Sequence, residues 1–393
     1  MTLDDDVVTG TVEPRADVAV RQADPPLLEV AGLRVQFRTA RGPVTVLDGV
    51  DYQVHRGRTL AVVGESGSGK SVTARAIMGI LPRTASIVGG SIRLAGVDLV
   101  RARESVRRAA RGARVAMVFQ DALSALNPVL PVGYQIVEGC RRKGGMSRAE
   151  GRRRAVELMD QVGIPAARAR VGAFPHEFSG GMRQRVMIAM ALARDPSVLI
   201  ADEPTTALDV TIQAQILRLL ADLQTQRNMG LVMITHDMGV VANTADEIAV
   251  MYAGRIVEQG SASEVFGTPA HPYTRALLGS IPRPELRGQR LPAIAGSPPD
   301  PSATPSGCPF RSRCPQAMPV CGTRPPVVRW RGPLPGSIGD EAGGLDARIG
   351  DETSSPRAEI GDEAGGLASD AGGAPGSGER MAACHLLTPG AQS

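Results

Sequence analysis

Eight residues, "GESGSGKS" from Gly64 to Ser71, carry the pattern G-x-x-x-x-G-K-[ST]. Glycines in such a run let the backbone wrap closely around an anion, and successive N–H groups ahead of a helix N-terminus favour negative charge. The predicted nucleotide-binding stretch is Gly64, Glu65, Ser66, Gly67, Ser68, Gly69, Lys70, Ser71 and Val72. Within it Lys70 is placed to reach β- and γ-phosphates, and the Ser71 hydroxyl to ligate Mg²⁺. Of 44 basic side chains only Lys70 and Lys143 are lysine, so a lysine at this point stands against the arginine bias of the chain. A compact ammonium suits it better than a planar guanidinium.

A second chemical stretch is "VLIADEP", Val198 to Pro204, an apolar run that ends in two carboxylates. Asp202 is placed to hold the magnesium through its water shell, and Glu203 to orient and polarise an attacking water. Just upstream, "FSGGMRQR" opens a helix with Ser179, Gly180 and Gly181. That is another glycine-rich helix start suited to a phosphate. Two such turns in one chain make sense if two subunits each lend one turn to a shared nucleotide.

The elements that must position these residues alternate. "LLEVAGLRVQF", "TLAVVG", "ARVAMVFQ", "PSVLIADEP" and "LVMITHD" read as strands. "KSVTARAIMGIL", "SRAEGRRRAVELMDQVG" with its S-x-x-E start, and "VTIQAQILRLLADLQTQ" read as helices. Strand–helix alternation predicts an α/β fold with a parallel sheet. "IAVMYAGRIVEQG" predicts a hairpin turning at Ala253-Gly254. The Arg-rich segment 101–114 reads as a solvated helical face rather than a site for anionic lipid or acidic loops.

Composition narrows the class. With 393 residues the chain can hold a large core. A net charge of +4 and only 3% aromatic residues give no nucleic-acid footprint. No apolar run reaches the roughly 18 to 20 residues that span a bilayer, and no signal-peptide core is present. These features point to a cytosolic setting, in which clustered cysteines suggest metal or redox work rather than disulfides.

In order and content the motifs resemble those of the ATP-binding cassette (ABC) ATPases. The resemblance covers about residues 27–330. It makes "GESGSGKS" the Walker A motif, "FSGGMRQR" the family signature, and "VLIADEP" the Walker B motif with Glu203 as catalytic base. It also makes "ALD" at Ala207–Asp209 the D-loop that crosses a dimer interface, and His236 the switch histidine at the γ-phosphate. Gln120 matches the glutamine that joins Mg²⁺ where membrane partners dock. Phe37 matches the aromatic that stacks on adenine, although the inserted "RTARGPV" lengthens the spacing. Implied with these are an RecA-like parallel core, an antiparallel β subdomain and an α-helical signature subdomain.

Several stretches resemble the oligopeptide and dipeptide importer subgroup, among them "VFQDALSALNPV" and "PAHPYTRALLGSIP". That likeness implies a peripheral ATPase on the cytoplasmic side of the cell membrane. It would pair with a second ATPase subunit and drive two permease subunits, with a solute-binding protein acting indirectly. Peptides are the expected cargo, with nickel or another small solute as the alternative, because selection belongs to the binding protein and permease. A soluble ABC ATPase is disfavoured, because each motif occurs once and no heptad-rich insert separates Ser71 from Asp202. A silent regulatory subunit is disfavoured by Glu203 and His236.

The chain divides into a tail at 1–25 and an ATPase domain at 26–265, with its helical subdomain at about 122–192. A C-terminal extension at 266–330, a Gly/Asp/Glu-rich insertion at 331–380 and a tail at 381–393 follow. "IGDE" recurs in the insertion at 338, 349 and 360 and reads as a solvated linker without a calcium-ligand pattern. The extension holds Cys308, Cys314 and Cys321, and the tail holds Cys384. Four thiols are the usual complement for an iron–sulfur cluster or tetrahedral zinc, and unligated packing is the alternative. Some members of the resembled subgroup carry a four-iron cluster on such an extension.

Overall fold

The computed structural model describes residues 25–144, 146–206, 208–281, 293–330 and 379–387. The expected N-terminal tail before residue 25, Ala207 of the D-loop and the three "IGDE" repeats lie outside the described residues.

Two sheets form the frame. The smaller contains β1 (Leu28–Thr39), β2 (Gly42–Val54), β4 (Ala85–Leu94) and β5 (Val97–Asp98), in the antiparallel order β2-β1-β4-β5. The larger contains β3 (Thr59–Val63), β6 (Val115–Val118), β7 (Val198–Asp202), β8 (Gly230–Thr235), β9 (Glu247–Tyr252), β10 (Arg255–Ser261), β11 (Val327–Trp330) and β12 (Arg380–Ala383). Its order is β11-β12-β10-β9-β3-β8-β7-β6. From β9 to β6 the strands run parallel, as the strand–helix alternation requires, and the expected β9–β10 hairpin turns back antiparallel.

The parallel strands are apolar on both faces, which is why they read as continuous hydrophobic runs. Along β7, Val198 and Ile200 pack with the β1–β2–β4 layer and helix Lys70–Met78, while Leu199 and Ala201 join the core of the helical subdomain. In β8, Val232 and Ile234 divide in the same way from Leu231 and Met233. Period-two alternation therefore ties one sheet to two cores at once.

Local signals set the helix ends. Ser147 and Glu150 form the capping box expected from S-x-x-E: Oγ of Ser147 accepts from the Glu150 N–H at 3.2 Å, and Oε2 of Glu150 accepts from the Ser147 N–H at 2.8 Å. In the Arg-rich segment the helix Glu104–Ala110 is solvated, with Glu104 bonded to Arg107 at 3.0 Å and Arg111 at 2.5 Å.

Arg380, expected as the end of the solvated insertion, and Met381–Ala383, expected as tail, instead supply a strand. β12 lies between β10 and β11, pairing Glu258 with Ala382 and Arg329 with Met381. Beside this junction Glu258 is fully buried, accepts from the N–H groups of Ala270 and His271 at 2.8 Å each, and faces Arg380 at 3.4 Å. Burial pushes its carboxyl pKa up, against the backbone donors and Arg380. Arg380 also donates to the Thr268 carbonyl at 2.7 Å. Removing one member of a buried pair leaves a desolvated charge, at a cost of about 3–5 kcal/mol. Arg380→Ala is expected to lower stability by about that amount in a denaturant titration, and to expose Cys384 to faster alkylation than in the parent.

Candidate active site

Four parallel strands deliver the predicted site residues at their carboxyl ends. After β3, the loop Gly64–Gly69 bends back with left-handed φ at Gly64 (153°), Gly67 (82°) and Gly69 (109°). A side chain at Gly64 would run into the Met251 carbonyl, so glycine is needed there for space as well as for φ. Lys70 opens the following helix; the residue is 5% exposed, and its ammonium donates to the carbonyls of Gly64 at 2.7 Å and Glu65 at 3.0 Å. Burial lowers its pKa, while the carboxylates of Glu203, Asp202 and Glu65 oppose that shift. Val72 is half-buried on the same helix and packs into the adjacent core.

Across the sheet, the Ser71 hydroxyl donates to Oδ1 of Asp202 at 2.9 Å. Asp202 is buried, which pushes its carboxyl pKa up; the Ser71 hydrogen bond works against this and the neighbouring Glu203 charge adds to it. Glu203 follows with φ of 47°, a left-handed conformation that costs a residue with a side chain roughly 1–2 kcal/mol. Its N–H is held by the Ile234 carbonyl of β8 at 2.9 Å.

Three side chains surround the Glu203 carboxylate. Gln120, just past β6, donates to Oε2 at 2.9 Å. Nδ1 of His236, just past β8, lies 3.3 Å from Oε1. Thr206 donates its hydroxyl to Oε2 at 3.0 Å. Sequence reading anticipated Gln120 and His236 but missed Thr206; its position three residues after Glu203, in "EPTT", was the available signal.

Other predicted residues stand apart. Ser179 caps helix Gly180–Leu192, accepting from the Met182 N–H at 3.4 Å. Gly180 lies against Leu208 and Gly181 against Ile212. Among the described residues no hydrogen bond joins this turn to the Lys70 loop. Asp209 caps helix Val210–Arg227 through the Ile212 N–H at 3.0 Å. Phe37 is half-buried in β1, opposite Val44 and Ala85, against the core that includes Leu47 and Met251.

The four late cysteines do converge. Cys308, Cys314, Cys321 and Cys384 line one cavity with Phe310, His271 and His385. Burial raises the thiol pKa of Cys308 and Cys314, and that of Cys384 to about 11. Among the described residues, however, no three His, Cys, Asp or Glu side chains are arranged to hold a single metal ion. The arrangement of these thiols therefore shows neither tetrahedral zinc nor an iron–sulfur cluster.

A parallel sheet that ends in a phosphate loop and paired acids, with antiparallel and helical layers attached, defines an ATP-binding cassette. Comparison with known proteins agrees: residues 47–206 match the ABC transporter family and residues 257–321 the oligopeptide/dipeptide transporter C-terminal region. The chain is 49% identical over 296 residues to the dipeptide transport ATP-binding protein DppD of Bacillus subtilis, covering 75% of this chain and 88% of that one. It is 49% identical over 301 residues to the oligopeptide transport ATP-binding protein OppD of Salmonella typhimurium, covering 77% and 90%. Among solved structures, cbiO1 of Clostridium perfringens aligns with TM-score 0.53 at 28% identity, over 62% of this chain and 92% of that one. The dimeric post-hydrolysis cassette MJ0796, at TM-score 0.54 and 24% identity over 60% and 98%, shares the fold. This chain belongs to the ATP-binding proteins of the oligopeptide/dipeptide group of ABC transporters.

Thr206→Val keeps the shape of the side chain and removes the donor to Glu203. It is expected to lower ATP turnover by about three- to tenfold in a phosphate-release assay, with the melting temperature little changed, as for one solvent-exposed hydrogen bond lost.

Proposed function

We propose that this chain hydrolyses ATP to drive peptide import through separate permease subunits, working as a pair with a second ATPase subunit on the cytoplasmic side of the membrane. The observation that carries it is the division of the nucleotide machinery. Lys70, Ser71, Asp202, Glu203, Gln120 and His236 gather at one sheet edge, whereas Ser179–Gly181 sit on a helix packed toward Leu208 and Ile212. A second subunit would bring its own signature turn to close the site. The names of the DppD and OppD relatives and the matched C-terminal region support peptides as cargo. No described helix is long and apolar enough to cross a membrane, which accords with a separate permease.

The geometry supports the following residue roles. Lys70 and the N–H groups of its loop bind the phosphates. Ser71 and Asp202, already in contact, would hold Mg²⁺ with Gln120; the ion supplies charge neutralisation for the transferring phosphoryl group. Glu203 orients a water whose oxygen attacks the γ-phosphorus as the bond to the ADP oxygen breaks, and the water's proton passes to its carboxylate. Gln120, Thr206 and His236 hold that carboxylate in place. As the family resemblance implies, we further assign His236 to contact with the γ-phosphate, Asp209 to contact with the partner across the dimer, and Phe37 to stacking on adenine. Loss of the γ-phosphate removes the bridge between subunits and lets them part, so hydrolysis resets the pair.

Cys308, Cys314, Cys321 and Cys384 are proposed to hold a four-iron cluster. Support comes from four thiols that line one pocket beside Phe310, His271 and His385, with no carboxylate in the lining. The cluster would be structural or redox-active, away from the ATP chemistry.

Two measurements test these assignments. Glu203→Gln is expected to cut kcat by about 10²- to 10⁴-fold while ATP still binds, so that an ATP-bound dimer accumulates in size-exclusion chromatography. Unchanged turnover would remove Glu203 as base. Anaerobically purified protein is expected to be brown and to contain iron, both lost in Cys384→Ser. Colourless, iron-free protein would remove the cluster.

A further inference from the structure

The C-terminal extension reaches into the phosphate loop. Between Cys308 and Cys314 the chain folds into tight turns, with the Arg311 N–H on the Cys308 carbonyl at 3.2 Å and the Arg313 N–H on the Phe310 carbonyl at 2.9 Å. The Cys308 N–H bonds to the Cys321 carbonyl at 3.0 Å, and Gly307, at φ of 80°, passes so close to that carbonyl that a side chain would not fit. Phe310 anchors this turn against Tyr252 and Tyr273, with ring centroids 5.3 Å away in each case.

The turn presents Arg313 to Glu65, the second residue of the phosphate loop. Two parallel contacts form, Nη1 to Oε2 at 2.6 Å and Nη2 to Oε1 at 2.9 Å. The Arg313 side chain is only 4% exposed. Its remaining donors are used as well: Nε on the Ala295 carbonyl at 2.8 Å, Nη2 on the Ile294 carbonyl at 3.3 Å, and Nη1 on the Tyr252 hydroxyl at 3.3 Å. Glu65 is fixed at its backbone too. Its N–H donates to the Tyr273 hydroxyl at 2.9 Å, and its carbonyl accepts from Lys70 at 3.0 Å.

Glu65 is an awkward residue for its place, because a free carboxylate there would repel an incoming triphosphate. We propose that Arg313 is a positioning residue of the nucleotide site: presented by the cysteine turn, it neutralises Glu65 and holds the phosphate loop in its anion-binding shape. The extension is thereby part of the ATP site and not an appendage to it. The proposal rests on the reading of the Lys70 loop as the phosphate site. A planar two-point fork explains why arginine, and not lysine, is used against this carboxylate.

The test uses the full chain, with binding of a fluorescent ATP analogue plus Mg²⁺ and steady-state phosphate release. Arg313→Ala is expected to raise both Kd and KM about tenfold, with kcat moving far less. The penalty should shrink as salt rises from about 0.1 M to about 1 M, because it is electrostatic. Adding Glu65→Gln to Arg313→Ala should restore most of the affinity, since the uncompensated charge is gone; a mere brace for the extension would show no such recovery. Arg313→Lys should lie between parent and Arg313→Ala. Arg313→Gln, neutral and closer in size, carries the same expectation if the alanine variant does not fold. A KM within about twofold of the parent in the neutral variants, or a double variant no better than the single, overturns the proposal. Lys70→Ala separates the two readings: if it fails to weaken analogue binding, the phosphate-site reading falls and this proposal with it.

Discussion

The parallel hydrogen-bond register of β3, β8, β7 and β6 is the constraint on which the site depends. Val63 pairs with Thr235, Asp202 with Ile234, and Val118 with Ala201. All four strands therefore run in one direction and stop at nearly one level, so the residue after each stop faces the same crevice. Lys70, Glu203, His236 and Gln120 are far apart in sequence and adjacent only because of this register. An antiparallel neighbour would send its end residue to the opposite edge. The hairpin β9–β10 does so, and it serves instead as the platform for the C-terminal extension.

At that edge the charges are unbalanced by design of the fold. One buried ammonium, Lys70, stands among the carboxylates of Asp202, Glu203 and Glu65. Burial lowers the pKa of Lys70 and raises that of Asp202, so both shifts oppose charge in a partly desolvated crevice. A divalent cation at Ser71 and Asp202 would relieve one part of the excess, and the Arg313 guanidinium on Glu65 relieves another. The left-handed backbone at Glu203 belongs to the same economy of position. It turns the carboxylate out of the strand toward Gln120, Thr206 and His236, and the Ile234 carbonyl holds it there.

The extension is secured by different physics. β12 covers the edge of β10, and the buried Glu258–Arg380 pair with its backbone donors fixes where β12 lies. That placement carries Cys384 to the cavity of Cys308, Cys314 and Cys321. Phe310, Tyr252 and Tyr273 then join the cysteine turn to the strand that flanks the phosphate loop. Two chemically separate regions thus share one aromatic wall.

Much of this could be read from local sequence. The phosphate loop, the acids of "VLIADEP", the capping box at Ser147 and the hairpin at Ala253-Gly254 are all set by neighbours within a few residues, where φ preferences, period-two alternation and side-chain caps act. Such signals need no knowledge of the rest of the chain. The fork of Arg313 on Glu65 and the strand at Arg380–Ala383 could not be read in this way. An arginine near a cysteine has no pattern of its own, and a four-residue strand has too little periodicity to announce itself. Their partners are chosen by packing between segments separated by up to 248 positions, as for Glu65 and Arg313. Sequence alone therefore determined the chemistry and the order of the elements. Tertiary structure decided which distant side chains hold that chemistry in place, because only an assembled sheet and a filled core bring them within hydrogen-bond reach.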